Sequence, residues 1–166
     1  MNKKLLQQLY ETYRQELYLY ICSLCHNSTL ADDLLQETFL KAILSLPDNH
    51  TNMRAWLYMV ARNLYFNYVK KESKKVYISN ENELENKMDA DLLDRMILND
   101  KKKILYQALN HLPKKKREIL TLQYFGGLSQ KEIAAVLHIT PENVRVLACR
   151  AKRELKSYME DNGYDI

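Results

Sequence analysis

Three clusters in this chain carry side chains able to do chemistry. Cys22-Ser-Leu-Cys25-His26 has the literal spacing of a haem-attachment thiol pair. Asp32, Asp33 and Glu37 place three carboxylates within six residues, which suits a metal ion or a basic protein partner. Glu142, Asn143, Arg145, Arg150, Lys152 and Arg153 combine planar donors, acceptors and point cations, the set that reads base edges and grips phosphates.

Context removes catalytic readings from the first two clusters. The cysteine pair lies inside a helical repeat and has no second ligand pair at zinc-like spacing, so Cys22 and Cys25 read as small core or half-buried residues. No histidine sits within the acidic cluster, and no glycine-rich phosphate loop occurs anywhere. No catalytic residue, metal or cofactor is therefore expected. The acidic cluster alone would be a solvated face or a docking face.

The third cluster has elements around it that position it. Ser129 precedes Gln-Lys-Glu, so Ser129 and Glu132 can form a capping box. Ile133, Ala134 and Leu137 line one face of the helix that follows, and His138 and Ile139 make a turn. Thr140 is a good N-cap, and Pro141 fits the first helical position. Val144, Ala148, Ala151 and Leu155 then recur at four, three and four residues as an inward stripe. Glu142, Arg145, Val146, Cys149, Lys152 and Arg153 fall on the other side. This is a helix-turn-helix whose second helix presents a basic outer face to a major groove.

The rest of the chain is also helical in pattern. Of 166 residues only three are glycine and three proline, which favours helices with short connections. Leu5, Leu6, Leu9, Tyr13, Leu17, Tyr20, Ile21 and Leu24 predict a long first helix over about 3–26. Thr29 with Asp32 offers a cap to a second helix carrying Ala31, Leu34, Leu35, Phe39, Ala42, Ile43 and Leu46. A polar loop, 47–52, leads to a third helix over about 53–71. Met53, Leu57, Val60, Ala61, Leu64 and Tyr68 face inward on it; Tyr58, Arg62, Tyr65, Phe66, Val69 and Lys70 lie opposite. Aromatics among cations suit unstacked bases, and they suit packing on the first helix equally well. The pattern is lost over 72–89 and resumes with Leu92, Leu93, Met96, Ile97, Ile104, Leu105, Ala108, Leu109 and Leu112. Pro113 opens a further helix that Gly126-Gly127 ends. The fold expected is all-α: two small helical domains, 1–72 and 91–166, joined by a flexible linker over 73–90, the second a four-helix domain with the helix-turn-helix.

Charge is organised to match. The net charge is +4. Residues 54–75 hold six bases and one acid, 76–100 seven acids and two bases, and 113–158 ten bases and four acids. Two positive blocks imply two contacts with a polyanion. No run approaches the length of a membrane span, no signal-peptide core is present, and three cysteines cannot all pair among themselves; a cytoplasmic, reducing location without membrane insertion is expected.

Two separated segments resemble bacterial RNA polymerase sigma factors of the small extracytoplasmic-function group. The first is Ala31-Asp-Asp-Leu-Leu-Gln-Glu-Thr-Phe-Leu-Lys-Ala with Arg54-Ala-Trp-Leu-Tyr-Met-Val-Ala-Arg-Asn-Leu. The second runs from Leu109-Asn-His-Leu-Pro through Tyr124-Phe-Gly-Gly-Leu-Ser to Leu155. The resemblance implies that Asp32, Asp33, Gln36 and Glu37 dock on the clamp coiled coil of the largest subunit of core RNA polymerase, with the flap as a further contact. It implies that Asp48, Asn49, His50 and Asn52 lie near an extruded base of the minus-ten element. Arg62, Asn63, Tyr65, Phe66, Lys70 and Lys71 would hold the melted non-template strand. In the minus-thirty-five duplex Arg145 would grip guanine, Glu142 accept from cytosine, and Asn143 meet adenine or phosphate. Lys131, Arg150, Lys152, Arg153 and Lys156 would meet phosphates, with Cys149 on the same outer face. Many relatives carry arginine and leucine where Leu147 and Ala148 stand, so a promoter preference does not transfer. Members of the group are commonly restrained by an anti-sigma factor. The competing reading is a helix-turn-helix repressor or activator that is not a polymerase subunit; it has no need of an acidic docking helix beside an aromatic-basic one.

Overall fold

The computed structural model describes residues 3–45, 52–75 and 99–164, and every described element is an α-helix or a turn. The chain divides into two compact units, Met1–Asp89 and Ala90–Ile166. The first contains α1 (Lys3–Cys25), α2 (Ser28–Ser45) and α3 (Met53–Lys75). The second contains α4 (Asp100–Leu109), α5 (Lys114–Tyr124), α6 (Gln130–Leu137) and α7 (Pro141–Asp161).

In the first unit α1 packs against both α2 and α3. Its outer half buries only Leu9, whereas Leu17 through Ser23 are buried on every side. A single inward stripe was the expectation. Two partners on different sides of one helix widen the buried arc into a full turn. Ser23 survives there because its hydroxyl donates to the Tyr20 carbonyl at 2.5 Å. On α2 the row Ala31, Leu34, Leu35, Phe39 and Ala42 is buried, and Thr38 satisfies its hydroxyl on the Leu34 carbonyl at 2.7 Å. Ile43, expected in the core, is 42% exposed beside exposed Leu40 and Leu44.

The join between α1 and α2 is tighter than the Thr29 cap anticipated. His26 takes a left-handed conformation, φ 52°, and its amide donates to the Cys22 carbonyl at 2.8 Å. Asn27 is then the cap: its Oδ1 accepts from the Leu30 amide at 3.1 Å and its carbonyl from Ala31. A short amide side chain reaches the third amide readily, so Thr29 becomes the second residue of the helix. Asn52 does the same for α3, accepting at Oδ1 from the Ala55 amide at 3.2 Å. The third helix continues through Ser73, Lys74 and Lys75, past the boundary expected at residue 72. The remainder of the linker reading, 76–90, and the Leu92–Ile97 periodicity lie outside the described residues.

The second unit has a core of Ala108, Leu109, Leu112, Leu120, Ala151 and Leu155, flanked by Leu105, Phe125, Tyr158 and Met159. Asn99 caps α4 through the Lys102 amide at 2.8 Å. The His111 ring stacks on Tyr158, with centroids 4.5 Å apart. Lys116 and Glu154 form an ion pair that ties α5 to α7. Gly127, φ 65°, turns the chain into Ser129.

Candidate nucleic-acid interface

The helix pair α6–α7 is built as its residues dictate. Ser129 Oγ accepts from the Glu132 amide at 3.1 Å, and Glu132 Oε1 from the Ser129 amide at 2.8 Å, closing the capping box. His138 ends α6 with φ 58°, and the Ile139 amide donates to the Ala134 carbonyl at 3.1 Å. A side chain with a Cβ rarely adopts that backbone, and histidine is among the residues that tolerate it. Thr140 Oγ1 accepts from the Asn143 amide at 3.1 Å, and α7 begins at Pro141. Val144, Ala148, Ala151 and Leu155 are buried as the spacing predicts. Buried Ala134, with its minimal side chain, lets the two helices approach closely.

Burial of that stripe fixes which way the rest of α7 points. Glu142, Arg145, Cys149 and Arg153 are all exposed and recur at three and four residues, so they form one outward row starting in the first turn. Asn143 and Arg150 are exposed on its flank, and Lys131 is exposed on α6. Lys152, two turns after Arg145, is exposed at the edge of this row. With Lys101 and Lys156 it also rims an apolar groove of about 740 Å³ whose other walls include Leu105, Leu155 and Met159. The outward row can enter a groove of duplex DNA, with Arg145 able to make two parallel bonds to one base.

In the first unit Asp32, Asp33, Gln36 and Glu37 are exposed together on α2, opposite its buried row. The exposed apolar side chains of Leu40, Ile43 and Leu44 continue that surface towards the end of the helix. A charged patch adjoining apolar side chains suits a protein partner.

On α3, Arg62 lies over the Phe66 ring at 4.6 Å, and Tyr65 meets Phe66 edge-on at 5.0 Å. Phe66 is 43% exposed, and Asn63, Lys70 and Lys71 are exposed as well. A cation, an open aromatic face and further cations share this stretch, a surface on which a base can stack beside its phosphate. Asn52 is exposed, although its Oδ1 is committed to capping. Asp48, Asn49 and His50 lie outside the described residues. Tyr58 takes the packing alternative: it has no exposed surface, and its ring stands edge-on to buried Tyr20 of α1 with centroids 5.2 Å apart. Tyr68, placed inward by its spacing, is 38% exposed. The helix contacts both α1 and α2, so its buried arc is turned from the apolar stripe towards Tyr58.

Neither cysteine reading gains chemistry. Cys22 is buried, and desolvation pushes its thiol up to about 12. Burial also raises Cys25, whose Sγ donates to the Asn27 carbonyl at 3.3 Å. Both thiols stay protonated at neutral pH and are poor nucleophiles. Among the described residues no group of His, Cys, Asp or Glu could hold a metal, and no helix is long and apolar enough to cross a membrane.

One contact escaped sequence reasoning. Glu16 on α1 accepts from the Tyr58 hydroxyl at 3.1 Å and lies 3.7 Å from Arg54. A cation in the first turn of α3, where it opposes the helix dipole, was the available hint that a carboxylate partner stands nearby.

Comparison with known proteins adds a pattern across the chain. A family model described as Sigma-70 region 2 matches residues 9–75, and one described as Sigma-70, region 4, matches 102–155. ECF RNA polymerase sigma factor SigM of Bacillus subtilis (strain 168) is 31% identical over 162 residues, covering 92% of this chain and 93% of the relative. RNA polymerase sigma factor YlaC of the same organism is 31% identical, covering 93% and 91%. Among solved structures, the sigma factor RpoE of Bartonella quintana in complex with the anti-sigma factor NepR aligns with a TM-score of 0.67 at 21% identity, covering 93% of this chain and 96% of that one. CnrH in complex with the cytosolic domain of CnrY aligns at 0.64 and 25% identity, covering 98% and 92%.

Proposed function

The chain belongs to the sigma-70 family, in its extracytoplasmic-function group, and from that membership we propose which residues carry out each step of its work. The protein is a transcription initiation factor: it binds core RNA polymerase and directs it to promoter DNA. The family is not a class of enzymes.

The residue assignments rest on the family membership, with exposure supporting those on α2 and α7. Asp32, Asp33, Gln36 and Glu37 are the polymerase-docking face of α2, with Leu40 and Leu44 able to contribute apolar contact at its edge. Asp48, Asn49, His50 and Asn52, with Arg62, Asn63, Tyr65, Phe66, Lys70 and Lys71, are the minus-ten surface. Glu142, Asn143, Arg145, Cys149, Arg150 and Arg153, with Lys131 from α6, are the minus-thirty-five surface. Lys152 belongs at its margin, since it also rims the groove beside α4. The first domain runs through the end of α3 at residue 75, and the division proposed for the rest is a linker to residue 90 and a second domain over 91–166. The site of action is the cytoplasm. An anti-sigma factor of its own is a further partner, as the solved relatives RpoE and CnrH were captured with NepR and the cytosolic domain of CnrY.

Melting needs no nucleotide hydrolysis in this reading. Bases captured on Phe66 and its cationic neighbours offset part of the pairing energy lost when the strands part. The observation that carries the reading over a plain repressor is the region 2 match over 9–75, together with an exposed acidic face that a repressor does not need. Run-off transcription with core polymerase, and permanganate probing of the start region, test it. Specific transcripts and reactive thymines are expected only when both proteins are present. Unreactive thymines at every promoter, with a folded protein, would sink it. Asp33→Lys is expected to lower retention of core polymerase in a pull-down.

A further inference from the structure

Besides the Asn52 cap, the start of α3 is held by polar contacts to α1 whose residues belong to neither proposed promoter surface. Glu16 sits on the flank of α1, with its side chain 20% exposed, between Arg54 at 3.7 Å and the Tyr58 hydroxyl at 3.1 Å. The Arg54 guanidinium lies over the Tyr13 ring at 5.2 Å. Tyr58 and Tyr20, edge-on to each other, are both fully buried. Burial lifts the Glu16 carboxyl above its ordinary range, against the opposing pull of Arg54 and of the Tyr58 hydrogen bond. The carboxylate is thus kept in a costly place by directional partners on another helix.

Direction is the property that matters. The hydrophobic driving force has no direction of its own, and packing alone leaves a helix some play about its axis, whereas a hydrogen bond weakens steeply once bent. Turning α3 would strand the buried Tyr58 hydroxyl and separate Arg54 from the charge that offsets its clash with the helix dipole. Arg54, Tyr58, Arg62 and Phe66 recur every four residues, so the series that begins beside Glu16 winds along α3 to half-buried Arg62 and exposed Phe66. With side chains about 6 Å from the helix axis, a rotation of about 20° moves a tip by about 2 Å. A misplacement of about 1 Å can cost about a hundredfold in a positioned reaction.

We propose that Glu16 is a positioning residue for promoter opening: by holding Arg54 and Tyr58 it sets the rotation of α3 and aims Arg62 and Phe66 at the melted strand. Its role is indirect, exerted through α3. This rests on the reading of α3 as the minus-ten surface.

The test uses full-length Glu16→Ala, Glu16→Gln, Tyr58→Phe and Arg62→Ala proteins, each assembled with core polymerase. Core affinity is read by fluorescence anisotropy. Opening is read from a 2-aminopurine placed in the minus-ten element of a promoter found by transcript mapping. Glu16→Ala and Tyr58→Phe are expected to keep core affinity and to open about tenfold more slowly or worse. Glu16→Gln, whose amide oxygen still accepts from Tyr58, should fall between them and the parent. Parallel loss of core affinity and opening would mean Glu16 only stabilises the unit, and would overturn the proposal. Parental opening rates in the Glu16 and Tyr58 variants, with Arg62→Ala slow, would overturn the positioning role alone. Parental rates in all four would remove the minus-ten reading as well. Should Glu16→Ala fail to fold, Glu16→Gln and Tyr58→Phe carry the same decision.

Discussion

Arg145 is exposed in the first turns of α7, on the row it shares with Glu142, Cys149 and Arg153. A guanidinium there can bond one guanine twice, and such a pair discriminates between bases by about 1–3 kcal/mol. Arg145→Ala is therefore expected to relax selectivity at one upstream promoter position, read by competition titration against single-base variants. Equal weakening for every sequence would make Arg145 a phosphate contact. The outward direction of this residue was legible in the sequence, because Val144, Ala148, Ala151 and Leu155 leave only one side free. Tyr58 was legible only as a choice between a surface aromatic and packing on α1; its partner was not, since the phenol finds an acceptor in Glu16 across 42 residues of chain. No local period encodes such a pairing.

At the scale of helices, boundaries followed capping chemistry wherever the cap was the best side chain available. Ser129, Thr140 and Pro141 marked both starts of the helix-turn-helix. Between α1 and α2 the competition was closer, and Asn27 displaced Thr29 because left-handed His26 ends α1 one residue earlier. The α1–α3 contact has a pH signature. The folded-state pKa of Glu16 is raised from 4.5, burial outweighing Arg54 and the Tyr58 hydrogen bond. A raised carboxyl contributes stability that is fully present below about 4.5 and lost as pH climbs through the folded value. The unfolding free energy of Glu16→Gln relative to the parent should therefore rise with pH above that point and then level off, as measured by urea denaturation across the range. A difference that falls with pH would show the pairing with Arg54 outweighing burial.

For the whole molecule, the first basic block legible in the charge pattern lies in the stretch matched by the region 2 model, and the second, apart from Lys156, in that matched by the region 4 model. Duplex contacts release counterions, and log affinity falls with log salt by about 0.9 per phosphate neutralised. With the exposed bases Lys131, Arg145, Arg150 and Arg153 engaged, promoter binding by the polymerase complex should weaken steeply between low and physiological salt. Arg153→Ala should reduce the slope by about one without changing sequence preference. An unchanged slope would take Arg153 off the DNA. Promoter identity was beyond reach of the sequence for a physical reason: base readout depends on single side chains and on how each approaches a base edge.

The thiols hold a built-in clock for the native state. Cys149 stands open on α7 while Cys22 is sealed inside the first unit. A maleimide pulse should tag Cys149 at once and Cys22 only at the pace at which that unit opens. One unmodified chain thus reports its own opening rate against an internal reference, with polymerase present or absent.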